Sequence, residues 1–122
     1  MEDKLYTVAE ANALLPYLAP TLVELREKVE EAAKIKAAME HAAAGNGWSH
    51  HRDSWSQTLA RVGELVERLE EWNIELRDIQ TGLVDFPTTI EGDAALLCWR
   101  LGEPAVAHWH RPEEGFAGRR PL

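Results

Sequence analysis

The segment that decides the fold is A-A-L-L-C-W-R-L-G-E-P-A-V-A-H-W-H, residues 94–110. Apolar runs lie on both sides of the turn-forming sequence Gly102-Glu103-Pro104. Such a pattern predicts two antiparallel strands, 94–101 and 105–110, joined by a tight connection. Which side chains share a face of this hairpin depends on how the strands pair, because successive residues of a strand point to opposite faces.

A three-residue connection would pair Leu97 with Trp109 and Cys98 with His108. One face would then be apolar and suited to pack on helices, with Leu97, Trp99, Leu101, Ala107 and Trp109. The opposite face would carry Leu96, Cys98, Arg100, Val106, His108 and His110. A loop of two or four residues would shift the pairing by one and mix apolar with polar side chains. We favour the first register, because sheets segregate the two classes.

A further strand is predicted just before this hairpin. The sequence G-L-V-D-F-P (82–87) predicts a short strand that ends at Pro87, because proline cannot donate a backbone hydrogen bond. The residues that follow include Gly92 and are expected to form a turn. Together these segments predict a small three-stranded antiparallel β-meander with a C-terminal tail.

The chain before residue 82 has the patterns of amphipathic helices. Thr7-Val8-Ala9-Glu10 has the form of a capping box, so a helix should begin there. Pro16 lacks an amide hydrogen and crowds the preceding turn, which predicts a break or kink around Leu15. We therefore expect a short, kinked N-terminal helix before the first long one.

Two long helices should follow. The first has apolar residues at alternating four- and three-residue steps and should end near Ala43, before the left-handed stop Gly45-Asn46-Gly47. The second should have Asp53 or Ser54 as its cap and extend to about residue 77. Joined by a polar loop, the two predict a long antiparallel helical hairpin with coiled-coil-like packing.

The predicted fold class is therefore α+β. The helical hairpin, about residues 7–77, is capped by the β-meander and tail, about residues 82–122. At 122 residues the chain is most simply a single domain, 1–122, with room for a hydrophobic core.

Composition argues against several classes of function. A net charge of −8 opposes nucleic-acid binding through the bulk of the surface, since phosphate contacts need a basic face. No stretch approaches the length of a membrane span, and the polar start Met1-Glu2-Asp3-Lys4 is unlike a secretory signal. The single cysteine cannot form an internal disulfide, which favours a reducing compartment. We expect a soluble, cytoplasmic protein that binds neither nucleic acid nor membrane.

Two histidines on one strand suggest a metal site. His108 and His110 share a strand face, with Cα atoms roughly 7 Å apart. They and Cys98, across the ladder, are candidate ligands of a metal ion or a haem. Neither C-x-x-C nor H-E-x-x-H occurs, so the pattern is unspecific, and exposed polar residues of a sheet produce the same pattern.

The same region supports acid–base chemistry and ligand binding. His110, oriented by Asp85 or Glu103, could transfer a proton. The residues expected to hold a small anionic ligand are Arg100, Arg119, Trp99 and His110. Alternatively, Arg100 and Arg119 have a purely structural role. They would then pair with the carboxylates of Asp85 and Glu103 and hold the C-terminal tail against the sheet.

These motifs also resemble those of a known family. G-L-V-D-F-P, L-C-W-R-L-G-E, W-H and G-F-A-G-R, together with Y-T-V-A-E-A-N-A-L-L-P (6–16), resemble the small bacterial proteins catalogued as domain of unknown function 2203. The resemblance spans nearly the whole chain and implies no established activity, cofactor or partner. Its signature falls on Asp85, Trp99, Glu103, His110, Gly115 and Arg119. His108 lies outside it, which weakens a two-histidine metal site.

Four classes of function follow. The leading hypothesis is a homodimeric ligand-binding or regulatory module: a lone hairpin leaves apolar area uncovered, so its helices pair with a second copy, and the β region accepts a small anion. The second is an enzyme in which His110 and either Asp85 or Glu103 form an acid–base pair. The third is a metal- or haem-binding protein that uses His108 and His110. The fourth is a scaffold whose charged helices bind a partner chain.

Overall fold

The structure is a computed structural model that describes residues 3–42 and 47–122. In these residues two helices, α1 (Val8–His41) and α2 (Trp48–Glu71), precede five strands. The strands are β1 (Glu75–Asp78), β2 (Leu83–Ile90), β3 (Asp93–Arg100), β4 (His108–His110) and β5 (Arg120–Pro121). They form an antiparallel sheet in chain order, which confirms the predicted α+β class. Neither helix, as far as it is described, is long and apolar enough to span a bilayer.

Helix α1 is continuous, so the predicted break around Leu15 is wrong. The predicted capping box is present: Thr7 Oγ1 accepts from the Glu10 amide at 3.1 Å, and Glu10 Oε1 accepts from the Thr7 amide at 2.9 Å. Pro16 and Pro20 both lie inside the helix and are exposed. Their four-residue spacing puts them on one face, where water can bond to the carbonyls that lose their helical donors.

The start of α2 differs from the prediction. The helix begins at Trp48, after Gly47 in the left-handed conformation (φ 75°). The predicted caps Asp53 and Ser54 are therefore wrong, because both lie inside the helix. The predicted end of the first helix, around Ala43 and Gly45-Asn46, lies outside the described residues.

The end of α2 also differs. The helix stops at Glu71, before the predicted end near residue 77, because Asn73 adopts a left-handed backbone (φ 54°) that closes it. The chain then enters β1, a strand that the sequence analysis missed. Glu75 of β1 lies opposite Asp85 of β2.

Strand β2 continues through Pro87 to Ile90, so the predicted end at Phe86 is wrong. The Pro87 carbonyl accepts from the Tyr6 amide at 2.7 Å, and so points away from β3. A proline here removes no hydrogen bond from the β2–β3 ladder, which explains why the strand tolerates it. The connection to β3 is a two-residue turn, Glu91-Gly92, with positive φ at both residues.

Strands β3 and β4 pair in the favoured register. Leu97 lies opposite Trp109 and Cys98 opposite His108. The pairing is short, however, because β4 begins only at His108 and not at residue 105.

The connection between β3 and β4 is drawn toward α1. Val106, expected on the outer face, is buried in the core, and its amide donates to Asn12 Oδ1 at 2.8 Å. The free energy gained by burying this valine offsets the loss of the ladder hydrogen bonds that a tight hairpin would have made.

The core lies between the helices and one face of the sheet. Its main side chains are Leu18, Leu22, Leu25, Leu65, Leu69, Val84, Phe86, Leu97 and Trp99. Because strand side chains alternate, the intervening residues of β2 and β3 point away from the helices. The C-terminal residues fold back over that outer face and end in β5, a second strand that the sequence analysis missed.

Substitution of two glycines should show how closely the chain approaches itself at the start of β2. Gly82 and Gly92 both have positive φ (69° and 83°), so alanine at either position costs roughly 1–2 kcal/mol of backbone strain. An added Cβ at Gly82 would lie 2.5 Å from Leu101 Cβ, whereas at Gly92 no atom of the described residues beyond its chain neighbours lies within 4 Å. We expect Gly82→Ala to lose about 1–3 kcal/mol more than Gly92→Ala in urea unfolding. Equal losses would contradict the close approach.

Candidate functional site

The outer face of the sheet, away from the helices, holds buried ionisable side chains. Asp85 on β2 lies opposite Cys98 on β3, which in turn lies opposite His108 on β4. His110 is two residues further along β4 and therefore shares this face. Asp85, Cys98 and His110 are each at most 2% exposed. Aspartate is rarely buried to this degree unless it is paired.

Asp85 is held between two partners. Arg77 Nε donates to Asp85 Oδ2 at 2.7 Å, and His110 Nε2 lies 3.0 Å from Asp85 Oδ1. Arg77 also approaches Glu75 at 3.3 Å. A buried carboxylate needs such partners, because the cost of removing its charge from water is otherwise uncompensated.

The surroundings of His110 determine where its hydrogens lie. Nδ1 is 2.8 Å from the carbonyl oxygen of Arg111, which can only accept, so Nδ1 carries a hydrogen. The 3.0 Å contact between Nε2 and Asp85 Oδ1 needs one hydrogen between the two atoms. His110 and Asp85 therefore share one proton, an arrangement suited to proton transfer.

Cys98 completes this group of three, which we call the outer-face cluster: Asp85, Cys98 and His110. Its potential ligand atoms, a carboxylate oxygen, Sγ and an imidazole nitrogen, lie within 4.8 Å of one another. Burial, and then the charge of Asp85, raises the pKa of the Cys98 thiol to about 11, so the free thiol is protonated at neutral pH. In the described part of the chain these residues are the candidate metal ligands.

A second polar cluster lies on the other side of Cys98. Arg119 Nη2 donates to the two carboxylate oxygens of Glu103, at 3.0 and 2.9 Å, and to His108 Nδ1 at 2.6 Å. Glu103 balances the guanidinium charge, and His108 Nδ1 is an acceptor. Arg119 Nε is buried without a hydrogen-bond partner among the described residues. Glu103 is thus the hydrogen-bond partner of Arg119 and not of His110.

The C-terminal segment, residues 112–121, covers both clusters. Phe116 contacts two guanidinium groups, with its ring centroid 5.5 Å from Arg100 Cζ and 4.8 Å from Arg119 Cζ. Arg120 pairs with Glu114 at 2.7 Å, which ties the end of the segment to its middle. These contacts place apolar and charged atoms over residues that would otherwise face water.

A cavity of about 130 Å³ opens beside the outer-face cluster. Its walls are Arg77, Leu83, Asp85, Cys98, His110, Pro112, Glu114, Gly115 and Phe116. A larger and shallower depression of about 600 Å³ lies between α1 and residues 101–105. We regard the smaller cavity as the candidate site, because several hydrogen-bonded ionisable groups converge on it.

The structure brings some predicted site residues together and separates others. Asp85, Cys98 and His110 form one cluster, and Glu103, His108 and Arg119 form the adjacent one. Arg100 is exposed and contacts Phe116. Trp99 lies on the helix-facing side of the sheet, in the core, and its Nε1 donates to the Glu103 carbonyl at 3.1 Å.

Sequence reasoning missed Arg77, because the predicted second helix extends to about residue 77. The signal that could have found it is Asn73, since asparagine tolerates the left-handed conformation that ends helices. The role of the Arg111 carbonyl had no sequence signal, because every residue has a carbonyl.

The fold and the site define an α+β protein with a helical pair on one face of its sheet and a buried polar cluster on the other. The chain belongs to the family described as Uncharacterized conserved protein (DUF2203), whose model matches residues 4–122. This match confirms the resemblance seen in the sequence motifs. No curated protein and no solved structure matches the chain.

Cys98 should resist thiol reagents in the folded protein. A pKa of about 11 leaves roughly one thiol in a thousand ionised at pH 8, against about a tenth to a quarter for an ordinary cysteine. In the presence of a chelator, disulfide-exchange labelling should be at least about 100-fold slower in buffer than in denaturant, as followed by absorbance. Similar rates in the two solutions would show that the outer face is open to solvent.

Proposed function

We propose that this protein is a small ligand-binding module whose site is the cavity beside Asp85 and His110. The observation that carries the proposal is the network in which the buried His110 and the partly exposed Arg77 both bond to the buried Asp85 at the wall of a cavity. Stability alone does not favour such a network, because apolar residues of similar volume often stabilise a core as well or better. Buried polar groups that converge on a cavity are typical of binding sites.

The volume of the cavity limits the ligand. At about 130 Å³ it exceeds the roughly 10–15 Å³ that a cavity needs to hold one water molecule. Pockets for drug-sized ligands and cofactors hold roughly 300–1,000 Å³. The ligand that fits is an ion or a group of a few atoms, which argues against a haem or a nucleotide in this cavity.

The charges around the cavity favour a ligand that bonds to Asp85, Cys98 or His110 over a free anion. Arg77 is paired with Asp85, and Arg119 is paired with Glu103, so their positive charges are already balanced. A small anionic ligand would depend on Arg100, which is exposed beside Phe116.

The covering segment supports a regulatory role for the ligand. Pro112, Glu114, Gly115 and Phe116 line the cavity together with the cluster on the sheet. A ligand in the cavity would contact both the C-terminal segment and the sheet. It would therefore stabilise the closed position of this segment over any open one.

Acid–base catalysis is the second candidate function. His110 Nε2 and Asp85 Oδ1 share a proton at 3.0 Å, and the Arg111 carbonyl holds the ring in place at 2.8 Å. A pair of this kind can give a proton to, or take one from, a molecule in the cavity. The pair that we propose is His110 with Asp85, because Glu103 is bonded to Arg119.

A homodimer formed through the helices is part of the proposal. Tyr17 on α1 is 67% exposed and Leu59 on α2 is 40% exposed. Contact with a second copy would remove this apolar area from water, which stabilises by roughly 25 cal/mol per Å².

We place the protein in the cytoplasm, because Cys98 is a free thiol and reducing compartments keep such thiols unpaired.

The binding site can be tested with two isosteric substitutions. Asp85→Asn removes the charge that Arg77 and His110 share, whereas Asp78→Asn changes a carboxylate whose partners among the described residues, Gln80 and Thr81, lie in its own turn. Native mass spectrometry of freshly purified protein should detect a small bound species in the wild type and in Asp78→Asn but not in Asp85→Asn. We also expect Asp85→Asn to lose about 2–3 kcal/mol of unfolding free energy.

Two outcomes would count against the binding function. One is a bound species that persists in Asp85→Asn with unchanged occupancy. The other is the lack of any bound species in all three proteins, together with unchanged amide resonances at the cavity when the small-molecule fraction of a cell extract is added.

The dimer has a separate test. Sedimentation equilibrium should give twice the mass of one chain, and the pair Tyr17→Arg and Leu59→Arg should give a monomer. Thr89→Arg, which also introduces an arginine at an exposed position but on the sheet, is the control and should leave the dimer intact. A wild type that is monomeric at all concentrations would exclude association through the helices.

A further inference from the structure

The outer-face cluster combines three kinds of metal-binding atom at one point. Asp85, Cys98 and His110 offer an oxygen, a sulfur and a nitrogen within 4.8 Å of one another, and each residue is at most 2% exposed. We infer that the ligand of the cavity is a divalent transition-metal ion of the zinc type, held by these three residues. The inference rests on the proposed binding function and names its ligand.

Hydrogen bonds already orient two of the ligands as a metal site requires. His110 Nδ1 donates to the Arg111 carbonyl, which leaves Nε2 facing the cluster. Arg77 Nε donates to Asp85 Oδ2, which leaves Oδ1 facing the same point. Metal-binding histidines and carboxylates are commonly held by outer partners of this type, which fix the ring and the free oxygen.

The spacing of the ligand atoms is close to that of a tetrahedral site. Zn²⁺ lies about 2.0–2.3 Å from its ligands, so neighbouring ligand atoms are roughly 3.3–3.6 Å apart. In the cluster the atoms lie within 4.8 Å of one another, and Nε2 and Oδ1 are 3.0 Å apart. Side-chain movements on the order of 1 Å would bring the three atoms to coordination distance.

The charges balance when the ion enters. The thiol hydrogen of Cys98 leaves for solvent, so at least one proton is released for each ion bound. The carboxylate and the thiolate then offset the double charge of the ion, and a metal ion keeps its coordinating thiol deprotonated. The charge of Arg77 is shared with Glu75 at 3.3 Å.

The ligand types select the class of ion and leave one position open. Sulfur and imidazole nitrogen suit Zn²⁺ and its neighbours, whereas Mg²⁺ and Ca²⁺ prefer oxygen ligands. Three protein ligands leave a fourth tetrahedral position, as in zinc sites that bind water or substrate. Because all three residues line the cavity, that position would open to it.

His108 does not belong to this set. Its Nδ1 accepts a hydrogen bond from Arg119 at 2.6 Å, in the neighbouring cluster. A metal site built on His108 and His110 would therefore differ from the one proposed here. Substitution of His108 distinguishes between the two sites.

The test uses the full chain, stripped of metal with a chelator and titrated with Co²⁺, which reports its ligands spectroscopically. We expect a thiolate-to-cobalt charge-transfer band in the near ultraviolet that saturates at one ion per chain and disappears when Zn²⁺ is added. Zn²⁺ binding in weak buffer should release at least one proton per ion, as measured with a pH indicator.

Two variants identify the ligands. Cys98→Ser should abolish the charge-transfer band and weaken Zn²⁺ binding at least about tenfold, because a hydroxyl is a poor substitute for a thiolate ligand. His108→Gln should retain both the band and the affinity. Circular dichroism establishes that each variant is folded, and the wild-type titration stands without either variant.

Several results would overturn the inference: no charge-transfer band in the wild type, a band that survives in Cys98→Ser, or a band lost in His108→Gln. If Co²⁺ and Zn²⁺ do not bind while native mass spectrometry shows another bound species, the metal is excluded and the binding function stands. If neither the ions nor any other species binds, both fail.

Discussion

Phe86 and Leu97 lie opposite each other on β2 and β3, and both are buried against the helices. Because side chains alternate along a strand, their burial forces Asp85 and Cys98 to the other face of the sheet. A slip of one residue would place the Asp85 carboxylate in the apolar core without partners, at a cost that no turn or loop contact could offset. The position of every group in the outer-face cluster depends on this contact between sheet and helices.

The helices explain which face is polar, but they do not explain why polar groups there are buried. That follows from the C-terminal segment, which pairs with β4 through β5 and lays Phe116 beside Arg100 and Arg119. Its other ties are the ion pair of Arg120 with Glu114 near the surface and the less exposed pair of Arg119 with Glu103, and β5 has only two residues. Contacts of this type are weaker than core packing, so the cover should open at lower free energy than the rest of the fold.

The network of Arg77, Asp85 and His110 joins two buried side chains to an arginine that is 40% exposed. Each hydrogen-bonding atom of the His110 ring has a partner, and each Asp85 oxygen has one as well. Removing Asp85 or His110 would leave its buried partner with uncompensated polarity in a site of low dielectric, which couples these two residues. The same rigidity holds Asp85 Oδ1 and His110 Nε2 beside the Cys98 sulfur, whichever ligand the cavity takes.

Several features were predictable because they depend on local physics. The capping box at Thr7 follows from residues three apart, and the register that pairs Cys98 with His108 follows from the separation of apolar from polar side chains. The end of α2 was also encoded locally, in Asn73, but the apolar stripe of the helix continued past it to Leu76. Periodicity persists across a helix end when the following strand is itself half buried, and this hid β1 and Arg77.

By itself the sequence determined the fold class, the polar and apolar faces of the hairpin, and the set of residues from which a site could be built. Only the tertiary structure decided that α1 runs through both prolines, that Val106 belongs to the core, and that His110 meets Asp85 while Glu103 meets Arg119. These outcomes depend on contacts between residues distant in the chain. Such contacts are chosen by the packing free energy of the whole molecule, which no local pattern encodes.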